Sequence, residues 1–345
     1  MTRDPWLDNL KMTLVTLVVI GHALTMMPKE PITERIYDFV YYWHMPAFVL
    51  VSGYLSRGFT WSRKNLTNLV TGIALPYVIF EGLLALFRIE VGHEQGIHDV
   101  WLNPHWPMWY LAALFQWRLV TPILKKHWIA LPLSVAASLW FGTEGSAFFD
   151  LNRTLGMLPF FTIGLYLHDA PPKVLEFLRR SHGREVGAGL LVGIFVLAAW
   201  TDDWTSTSWL YYSDAYADFG VSPTEGIWIR AGLLLIATAG AFGILMVVPR
   251  QDSWYARMGS ASLVVYLFHG FVVRAFMYLG YPDWAHDHGA WTMWPTILGS
   301  VALAFFLASR PVASRLIWLA DPVGSWRRHL RARGAAADAA ASSTA

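Results

Sequence analysis

The sequence has 345 residues, of which 55 % are hydrophobic and only 14 % are charged, with a formal net charge of +2 at pH 7. Soluble domains carry about 25 % charged residues, so this composition excludes an ordinary soluble domain and indicates a polytopic protein of a lipid bilayer. Nucleic acid binding is not expected, because the small positive charge comes mostly from loop Lys and Arg. The absence of cysteine excludes disulfides, thiolate nucleophiles and Cys-based metal sites.

Apolar segments follow one another along the chain at lengths that suit a bilayer-spanning helix, roughly 17–25 residues. They predict an all-α fold with about ten transmembrane helices. The predicted spans are 8–27, 36–56, 67–87, 107–123, 128–142, 154–169, 186–201, 227–248, 259–280 and 292–309. No small-residue cleavage pattern follows the first span, which is therefore expected to be retained. We expect one transmembrane domain at 1–320 and a disordered, Ala-rich cytoplasmic tail at 321–345.

Lys and Arg are distributed unevenly between the predicted loops. One side of the membrane would hold Arg57, Arg63, Lys64, Lys125, Lys126, Lys173, Arg179, Arg180, Arg184, Arg250, Arg257, Arg310, Arg315, Arg327, Arg328, Arg331 and Arg333. The other side would hold only Lys29, Arg35, Arg88, Arg153 and Arg230. Cytoplasmic loops are enriched in Lys and Arg, so this pattern predicts a multi-pass protein of the cell membrane with both termini in the cytoplasm.

The first predicted span, "NLKMTLVTLVVIGHALTMM", contains Lys11 and His22. Eleven residues at about 100° each return to nearly the same helix face, so both side chains lie on one stripe, roughly 16 Å apart along the axis. Lys11 either extends to the cytoplasmic surface beside Asp8 or faces a cavity. His22 is either a neutral histidine bonded between helices or a general base reached through a cavity.

The second predicted span, "YYWHMPAFVLVSGYL", contains His44 in its outer half and Ser52 near its inner end. Ser52 and Gly53 also suit close helix packing. Glu81 and His269 add further ionisable groups to later spans. Several such groups together predict a polar site inside the bundle. His and Asp residues at 283–288 lack a specific ligand spacing, and no metal site is expected.

Five segments in chain order resemble the membrane-bound acyltransferase 3 family, particularly its fucose 4-O-acetylase-like branch. The first resembles the family's opening motif, a basic residue, ten others and a histidine, with Lys11 where Arg is commoner. The second is the span that ends in Ser-Gly-Tyr. The segments are "LDNLKMTLVTLVVIGHA", "YYWHMPAFVLVSGYL", "MWYLAALFQWRL", "LNRTLGMLPFFTIGLYL" and "GSASLVVYLFHG". Family members often carry Arg just before the Pro of the third helix, and this chain does not.

The resemblance implies O-acyl transfer, most often of acetyl, from acyl-CoA to a hydroxyl of a carbohydrate or glycolipid acceptor. Acetyl-CoA would be a co-substrate, with no tightly bound cofactor. His22 would be the general base, and His44 or Ser52 would donate to the oxyanion. Direct transfer and a covalent acyl-histidine both stay open. The expected CoA-binding residues are Lys11, Arg63 and Lys64, and the expected substrate-binding residues are Ser52, Glu81, Asn152, Arg153 and His269.

Two other functions fit parts of the pattern. A transporter of a sugar-like or lipid-linked molecule would also carry buried His, Glu and Arg, but the sequence lacks the internal repeats that many transporters retain. A catalytically silent sensor or scaffold is the other alternative, and the presence of His22 and His44 argues against it.

Overall fold

The computed structural model describes residues 4–145, 148–179 and 181–343. These residues form α-helices joined by short loops and 3-10 turns. The helices are α1 Pro5–Leu24, α2 Pro31–Ser56, α3 Arg63–Leu69, α4 Leu75–Glu90, α5 Trp109–Leu124, α6 Ala130–Glu144, α7 Leu151–Gly156, α8 Leu158–His168, α9 Pro172–Arg179, α10 Ser181–Leu197, α11 Thr201–Trp204, α12 Pro223–Val247, α13 Trp254–Met258, α14 Ser262–Tyr278, α15 Tyr281–His288, α16 Met293–Ala308, α17 Arg310–Ala320 and α18 Pro322–Ser343. A π-helical segment, Val70–Ala74, joins α3 to α4. The 3-10 segments are Phe148–Asp150, Ala198–Trp200, Thr207–Tyr211, Tyr216–Phe219, Gly259–Ala261 and Ala290–Thr292.

Local signals in the sequence account for where several long helices begin. The Asp4 side chain accepts a hydrogen bond from the backbone N–H of Trp6 at 3.0 Å, and Pro5 occupies the first turn of α1. Ser222 caps α12 in the same way, with Pro223 behind it. A capping oxygen satisfies a free backbone N–H, and proline lacks the N–H that the first turn leaves unbonded, so both residues favour a helix start.

Six helical stretches in the described part of the chain are long and apolar enough to cross a membrane. They are Pro5–Leu24, Arg63–Glu90, Gly183–Trp204, Pro223–Val247, Trp254–Tyr278 and Ala290–Ala308. This finding confirms the all-α class and the membrane character. The ten predicted spans all overlap helices, but ten crossings and the cytoplasmic termini stay predictions. The remaining four helical regions fall short because α5, α6 and α8 have only 16, 15 and 11 residues, and α2 contains His44, Ser52 and four Tyr.

The helices α1 and α2 lie side by side at the centre of the packing. Helices α14 and α16 pack against α1, whereas α8 and α12 pack against α2, and α10 packs against α12 and also contacts α2. The N-terminal end of α1 is fastened to the end of α12, because Asn9 Nδ2 donates to the carbonyl oxygens of Pro249 at 2.8 Å and Gln251 at 3.1 Å. Side chains on the shared faces of α1 and α2 are therefore surrounded by protein.

Helices α2 and α8 approach each other closely through glycine. A Cβ atom added to Gly53 would lie 2.0 Å from the carbonyl oxygen of Phe161, and one added to Gly164 would lie 2.0 Å from that of Leu50. Small residues let helix backbones come together in membranes. The packing role expected for Gly53 is thus present in the structure.

The described C-terminal segment is helical, and the disordered tail expected at 321–345 stays a prediction. The structure has α18 over Pro322–Ser343, and residues 344–345 lie outside the described chain. Alanine has the highest helix propensity of all residues, which accounts for a helix in this Ala-rich segment. The domain boundary at 320/321 stays a prediction.

Candidate active site

A cavity of about 360 Å³ lies at the C-terminal end of α1, and we name it the His22 cavity. Small-molecule sites usually measure roughly 300–1,000 Å³. The cavity is lined by His22, Thr25, Tyr37, Tyr41, His44, Met45, Trp106, Trp109, Arg153, Met157, Leu210, Tyr211, Arg274 and Met277. Tyrosine and tryptophan side chains from four segments thus line the cavity together with two histidines and two arginines. This mixture of apolar and polar groups suits a polyhydroxylated ligand.

The hydrogen bonds of His22 define which of its ring nitrogens is free. His269 Nδ1 lies 3.1 Å from the carbonyl oxygen of Val265, which only accepts, so His269 Nδ1 carries the hydrogen. In neutral His269, Nε2 is then an acceptor, and it lies 2.8 Å from His22 Nδ1. His22 Nδ1 therefore donates, which leaves His22 Nε2 as an unprotonated nitrogen with a lone pair.

His44 presents the same kind of atom to the cavity. Its Nδ1 donates to the carbonyl oxygen of Val40 at 2.8 Å, so Nε2 of the neutral ring is an acceptor. Within the described residues this buried Nε2 has no hydrogen-bond partner. It lies 3.7 Å from the point where a Cβ would stand on Gly21, beside His22. Neutral His44 in this tautomer accepts a hydrogen bond and does not donate one to an oxyanion.

Trp106 closes one side of the cavity over His22, with ring centroids 4.2 Å apart. The loop that carries Trp106 is held by Glu81, which is fully buried in α4. Glu81 Oε1 accepts a hydrogen bond from the backbone N–H of His105 at 3.0 Å and also pairs with the His105 ring. Glu81 does not line the cavity. It helps to fix the position of Trp106 through its bonds to the adjacent His105.

Two guanidinium groups line the His22 cavity, and each is anchored. Arg153 Nη1 donates to Asp150 Oδ2 at 2.7 Å and Nε donates to the carbonyl oxygen of Tyr211 at 3.1 Å. Its guanidinium carbon lies 4.9 Å from the ring centroid of Trp109. Within the described residues Arg153 Nη2 has no hydrogen-bond partner, so this nitrogen is available to a ligand.

Arg274 is held at the cavity by Glu94, from the loop between α4 and α5. Glu94 Oε1 accepts hydrogen bonds from Arg274 Nη1 at 2.8 Å and from the Tyr278 hydroxyl at 2.5 Å, and Oε2 accepts one from Arg88 Nε at 2.8 Å. Burial acts to raise the pKa of Glu94, but the hydrogen bonds from Arg88 and Tyr278 and the charge of Arg274 outweigh it and lower that pKa. An ionised Glu94 therefore fastens the loop to α14.

A second cavity of about 250 Å³ lies toward the other end of α1, and we name it the Lys11 cavity. It is lined by Lys11, Leu14, Phe48, Val51, Ser52, Leu55, Gly72, Ile73, Tyr110, Leu111, Leu114, Arg118, Ser262, Leu263 and Tyr266. Lys11 Nζ lies 2.6 Å from Asp8 Oδ1. Ser52 Oγ donates to the carbonyl oxygen of Phe48 at 2.8 Å and is hydrogen-bonded to the Tyr110 hydroxyl.

Three aromatic rings of the Lys11 cavity pack against one another, and we name them the aromatic wall: Phe48, Tyr110 and Tyr266. The Phe48 and Tyr110 ring centroids are 4.9 Å apart, and those of Tyr110 and Tyr266 are 5.6 Å apart. On α2, Met45 lines one cavity and Phe48 the other, roughly 4.5 Å apart along the helix axis. The two cavities are therefore neighbours along α2.

A match to a known protein family includes the residues of both cavities. The family model Acyltransferase 3, described as an acyltransferase domain, matches residues 4–309. The chain belongs to this acyltransferase family. No curated protein and no solved structure gives a significant match. The match covers both cavities, so the histidine pair and the Lys11 cavity both lie within the acyltransferase domain.

Some of the expected site residues of this acyltransferase lie at one of the two cavities, and the others line neither. His22, His44 and Arg153 line the His22 cavity, His269 is bonded to His22, and Lys11 and Ser52 line the Lys11 cavity. Arg63 and Lys64 are exposed at the start of α3 and line neither cavity. Glu81 and Asn152 also line neither, and Asn152 Nδ2 donates to the carbonyl oxygen of Ser213 at 2.9 Å.

Sequence reasoning missed several residues that line the cavities of the acyltransferase. Trp106 and Tyr211 lie at the His22 cavity and Arg118 lies at the Lys11 cavity. Arg274, an intramembrane cation to which the sequence assigns no role, also lines the His22 cavity. Arg118 is the cation of the segment "MWYLAALFQWRL", and its place in an apolar helix was an available signal. Trp106 comes from a loop and Tyr211 from the short 3-10 segment Thr207–Tyr211, where no periodic pattern predicts which side chains turn inward.

Proposed function

We propose that this acyltransferase moves an acyl group, in the first place acetyl, from acyl-CoA to a hydroxyl of a carbohydrate or glycolipid acceptor, with His22 as the general base. The hydrogen bond between His22 Nδ1 and His269 Nε2 carries the proposal, because it leaves His22 Nε2 basic in a ligand-sized cavity. The resemblance to the fucose 4-O-acetylase-like branch supports a sugar hydroxyl as acceptor.

The chemical step needs a base for the acceptor hydroxyl and a proton donor for the departing thiolate, and His22 serves as both in turn. His22 Nε2 takes the proton of the acceptor hydroxyl while its oxygen attacks the thioester carbonyl carbon. Collapse of the tetrahedral intermediate breaks the carbon–sulfur bond, and the imidazolium returns the proton to the departing thiolate. His269 stays neutral and continues to accept the hydrogen bond from His22 Nδ1, so it orients the ring throughout.

The developing oxyanion requires a donor, which the neutral tautomer of His44 does not supply. Arg153 is the better candidate, because its Nη2 has no protein partner in the described residues while Nε and Nη1 fix the guanidinium in place. His44 Nε2 then accepts a hydrogen bond from a hydroxyl of the acceptor. Ser52 lies in the Lys11 cavity, and its role belongs to the donor side.

The donor and the acceptor approach from opposite ends of α1. Acyl-CoA is cytoplasmic, so the Lys11 end faces the cytoplasm in a cell-membrane protein with both termini inside. Lys11, and outside the cavity Arg63 and Lys64, then interact with CoA phosphates. The acceptor enters the His22 cavity from the outer face. Asn152 acts here by holding the segment that carries Tyr211.

The test uses purified protein in nanodiscs with radiolabelled acetyl-CoA and an extract of envelope glycans and glycolipids. Label transfer and release of free CoA are followed for wild type, His22→Ala and the control His127→Ala. General base catalysis typically contributes 10²- to 10⁴-fold, so His22→Ala should lower turnover by at least about 100-fold while it still binds acetyl-CoA.

The control and the contrary outcomes are distinct. His127 is exposed and lines neither cavity, so His127→Ala should transfer label at the wild-type rate. Wild-type turnover by His22→Ala would refute the base. Failure of the wild type to bind acetyl-CoA would refute the donor and favour transport of the acceptor instead.

A further inference from the structure

The guanidinium of Arg274 lines the His22 cavity with a positive charge that is only partly balanced. Glu94 Oε1 accepts a hydrogen bond from Arg274 Nη1 at 2.8 Å, and Glu94 Oε2 lies 2.6 Å from Arg88 Nη2. Among the described residues neither arginine has another carboxylate partner. Two positive charges therefore share one negative charge, and this cluster carries an excess of one positive charge beside the cavity.

The other groups that line the cavity do not supply the missing negative charge. In the described part of the chain the lining contains no carboxylate, and its second arginine, Arg153, is already paired with Asp150 at 2.7 Å. His22 and His44 do not supply it either, because an imidazole is neutral or positive. An unbalanced charge among tyrosine, tryptophan and methionine side chains is costly, and an anionic ligand removes that cost.

The hydrogen bonds of Arg274 leave one edge of its guanidinium unused. Nη1 donates to Glu94 at 2.8 Å and to the Tyr278 hydroxyl at 3.2 Å. Nε is buried without a hydrogen-bond partner, and Nη2 also has none within the described residues. The N–H groups of Nε and Nη2 lie side by side, and such an edge binds the two oxygens of a carboxylate. A carboxylate there gives both nitrogens a partner.

Trp106 connects this edge with the proposed base. The Trp106 ring centre lies 4.2 Å from the ring centre of His22 and 5.6 Å from the guanidinium carbon of Arg274. His22 and Arg274 therefore flank the same indole ring, and one sugar unit that covers this ring contacts both. The excess of one positive charge matches a carboxylate, whereas a phosphate monoester carries about −1.5 to −2 at pH 7.

We infer that the acceptor is an acidic sugar of the uronic acid type, whose carboxylate is bound by Arg274 while His22 takes the proton from one of its hydroxyls. The inference rests on the proposed function and assigns the class of its acceptor. Arg274 thereby becomes a residue that determines specificity, and Arg153 keeps its place at the oxyanion. A neutral sugar leaves the excess charge unbalanced and binds more weakly.

The test compares two forms of one extract of envelope glycans and glycolipids, with wild-type protein in nanodiscs and radiolabelled acetyl-CoA. In one form the carboxyl groups are reduced to alcohols with carbodiimide and borohydride. The other form is treated with borohydride alone. At limiting acceptor, label transfer to the carboxyl-reduced form should be at least tenfold lower, since one hydrogen-bonded charge contact accounts for about a factor of ten.

Arg274→Gln should lose this preference and transfer label to the two forms at similar rates, because the group that recognises the carboxylate is gone. Arg274→Lys keeps the charge without the two-donor edge and should keep part of the preference. The matched control is Arg88→Gln, which also removes a hydrogen bond to Glu94 but lies outside the cavity lining. This control should keep the full preference. Thermal midpoints of all three variants establish that they are folded.

Two results would overturn the inference. The first is equal transfer by the wild type to the carboxyl-reduced and the borohydride-treated forms, which needs no variant. The second is a folded Arg274→Gln that loses activity on both forms by the same factor, because Arg274 then acts on the reaction and not on the carboxylate. Either result leaves the proposed function standing, which falls separately if the wild type binds no acetyl-CoA.

Discussion

At the scale of single residues, two backbone carbonyls determine what the cavity histidines do. His44 and His269 each donate Nδ1–H to the carbonyl oxygen four residues earlier in the same helix, Val40 and Val265. Each ring therefore turns its Nε2 lone pair away from its own helix. For His269 that lone pair accepts the hydrogen bond from His22, whereas for His44 it has no partner among the described residues. One local geometry thus leaves one histidine paired and the other free to accept a hydrogen bond.

The orienting role of His269 leads to a prediction with an internal rescue. His269→Phe removes the acceptor for His22 Nδ1, and kcat should fall by roughly 10- to 100-fold because the tautomer of His22 is no longer fixed. His269→Gln keeps an acceptor oxygen and should recover most of that loss. Turnover and the thermal midpoint of both variants are measured together. Equal activity of the two variants at equal stability would show that the hydrogen bond has no orienting effect.

The sequence predicts the residue types of the site better than their partners. The spacing of Lys11 and His22 correctly places them at two levels of one helix. The pairing of His22 with His269, 247 residues apart, depends on how α1 packs on α14, which no local pattern encodes. Glu81 was expected at the substrate because a buried carboxylate is costly, yet its Oε1 is bonded to the backbone N–H and the ring of His105, 24 residues away.

At the scale of the elements, the contact of α2 with α8 governs the position of His44 and Ser52. Both residues lie on α2, and the helix is held against α8 through Gly53 and Gly164, where a Cβ would meet a backbone oxygen. Backbone does not rotate aside as a side chain does. The two helices can therefore lie this close only because Gly53 and Gly164 carry a hydrogen atom in place of a side chain.

Gly53→Ala should consequently destabilise the protein by about 1–3 kcal/mol through overpacking. Gly193→Ala is the matched control, because Gly193 lies within α10 and a Cβ there meets nothing within 4 Å. Alanine inside a helix is favoured over glycine by roughly 0.5–1 kcal/mol, so the control should be neutral or slightly stabilising. Thermal unfolding in detergent, followed by circular dichroism, compares the two. A Gly53→Ala protein as stable as wild type would contradict the tight contact.

At the scale of the whole molecule, the helices agree with the hydropathy pattern while the number of crossings depends on four of them. Hydropathy predicts where apolar helices lie, because the bilayer requires it. Hydropathy does not decide whether α2, with its 26 residues, spans the membrane, because the His, Ser and Tyr side chains of α2 face the protein interior and not lipid. In general, lining a cavity lowers the apparent hydropathy of a helix that spans.

Cysteine accessibility separates ten crossings from six. In right-side-out vesicles, ten crossings expose Gln95→Cys to an impermeant maleimide and hide Gly58→Cys, whereas six crossings reverse both results. Both positions are exposed, and a side chain at Gly58 meets nothing within 4 Å. We expect labelling at position 95 only, with position 58 labelled after permeabilisation. The native chain has no cysteine, so it gives no background, and labelling at position 58 alone would contradict ten crossings.

The aromatic wall has a further consequence for the cell that makes this protein. An elementary charge that moves down the voltage across a membrane releases about 2.3 kcal/mol of free energy for each 100 mV. Polar cavities that opened on both faces and joined in the middle would let protons follow that gradient. The packed rings of Phe48, Tyr110 and Tyr266 line only one of the two cavities, and no described residue lines both. Cavities that share no lining residue give protons no joined polar path, so the protein should leave the voltage across the membrane intact.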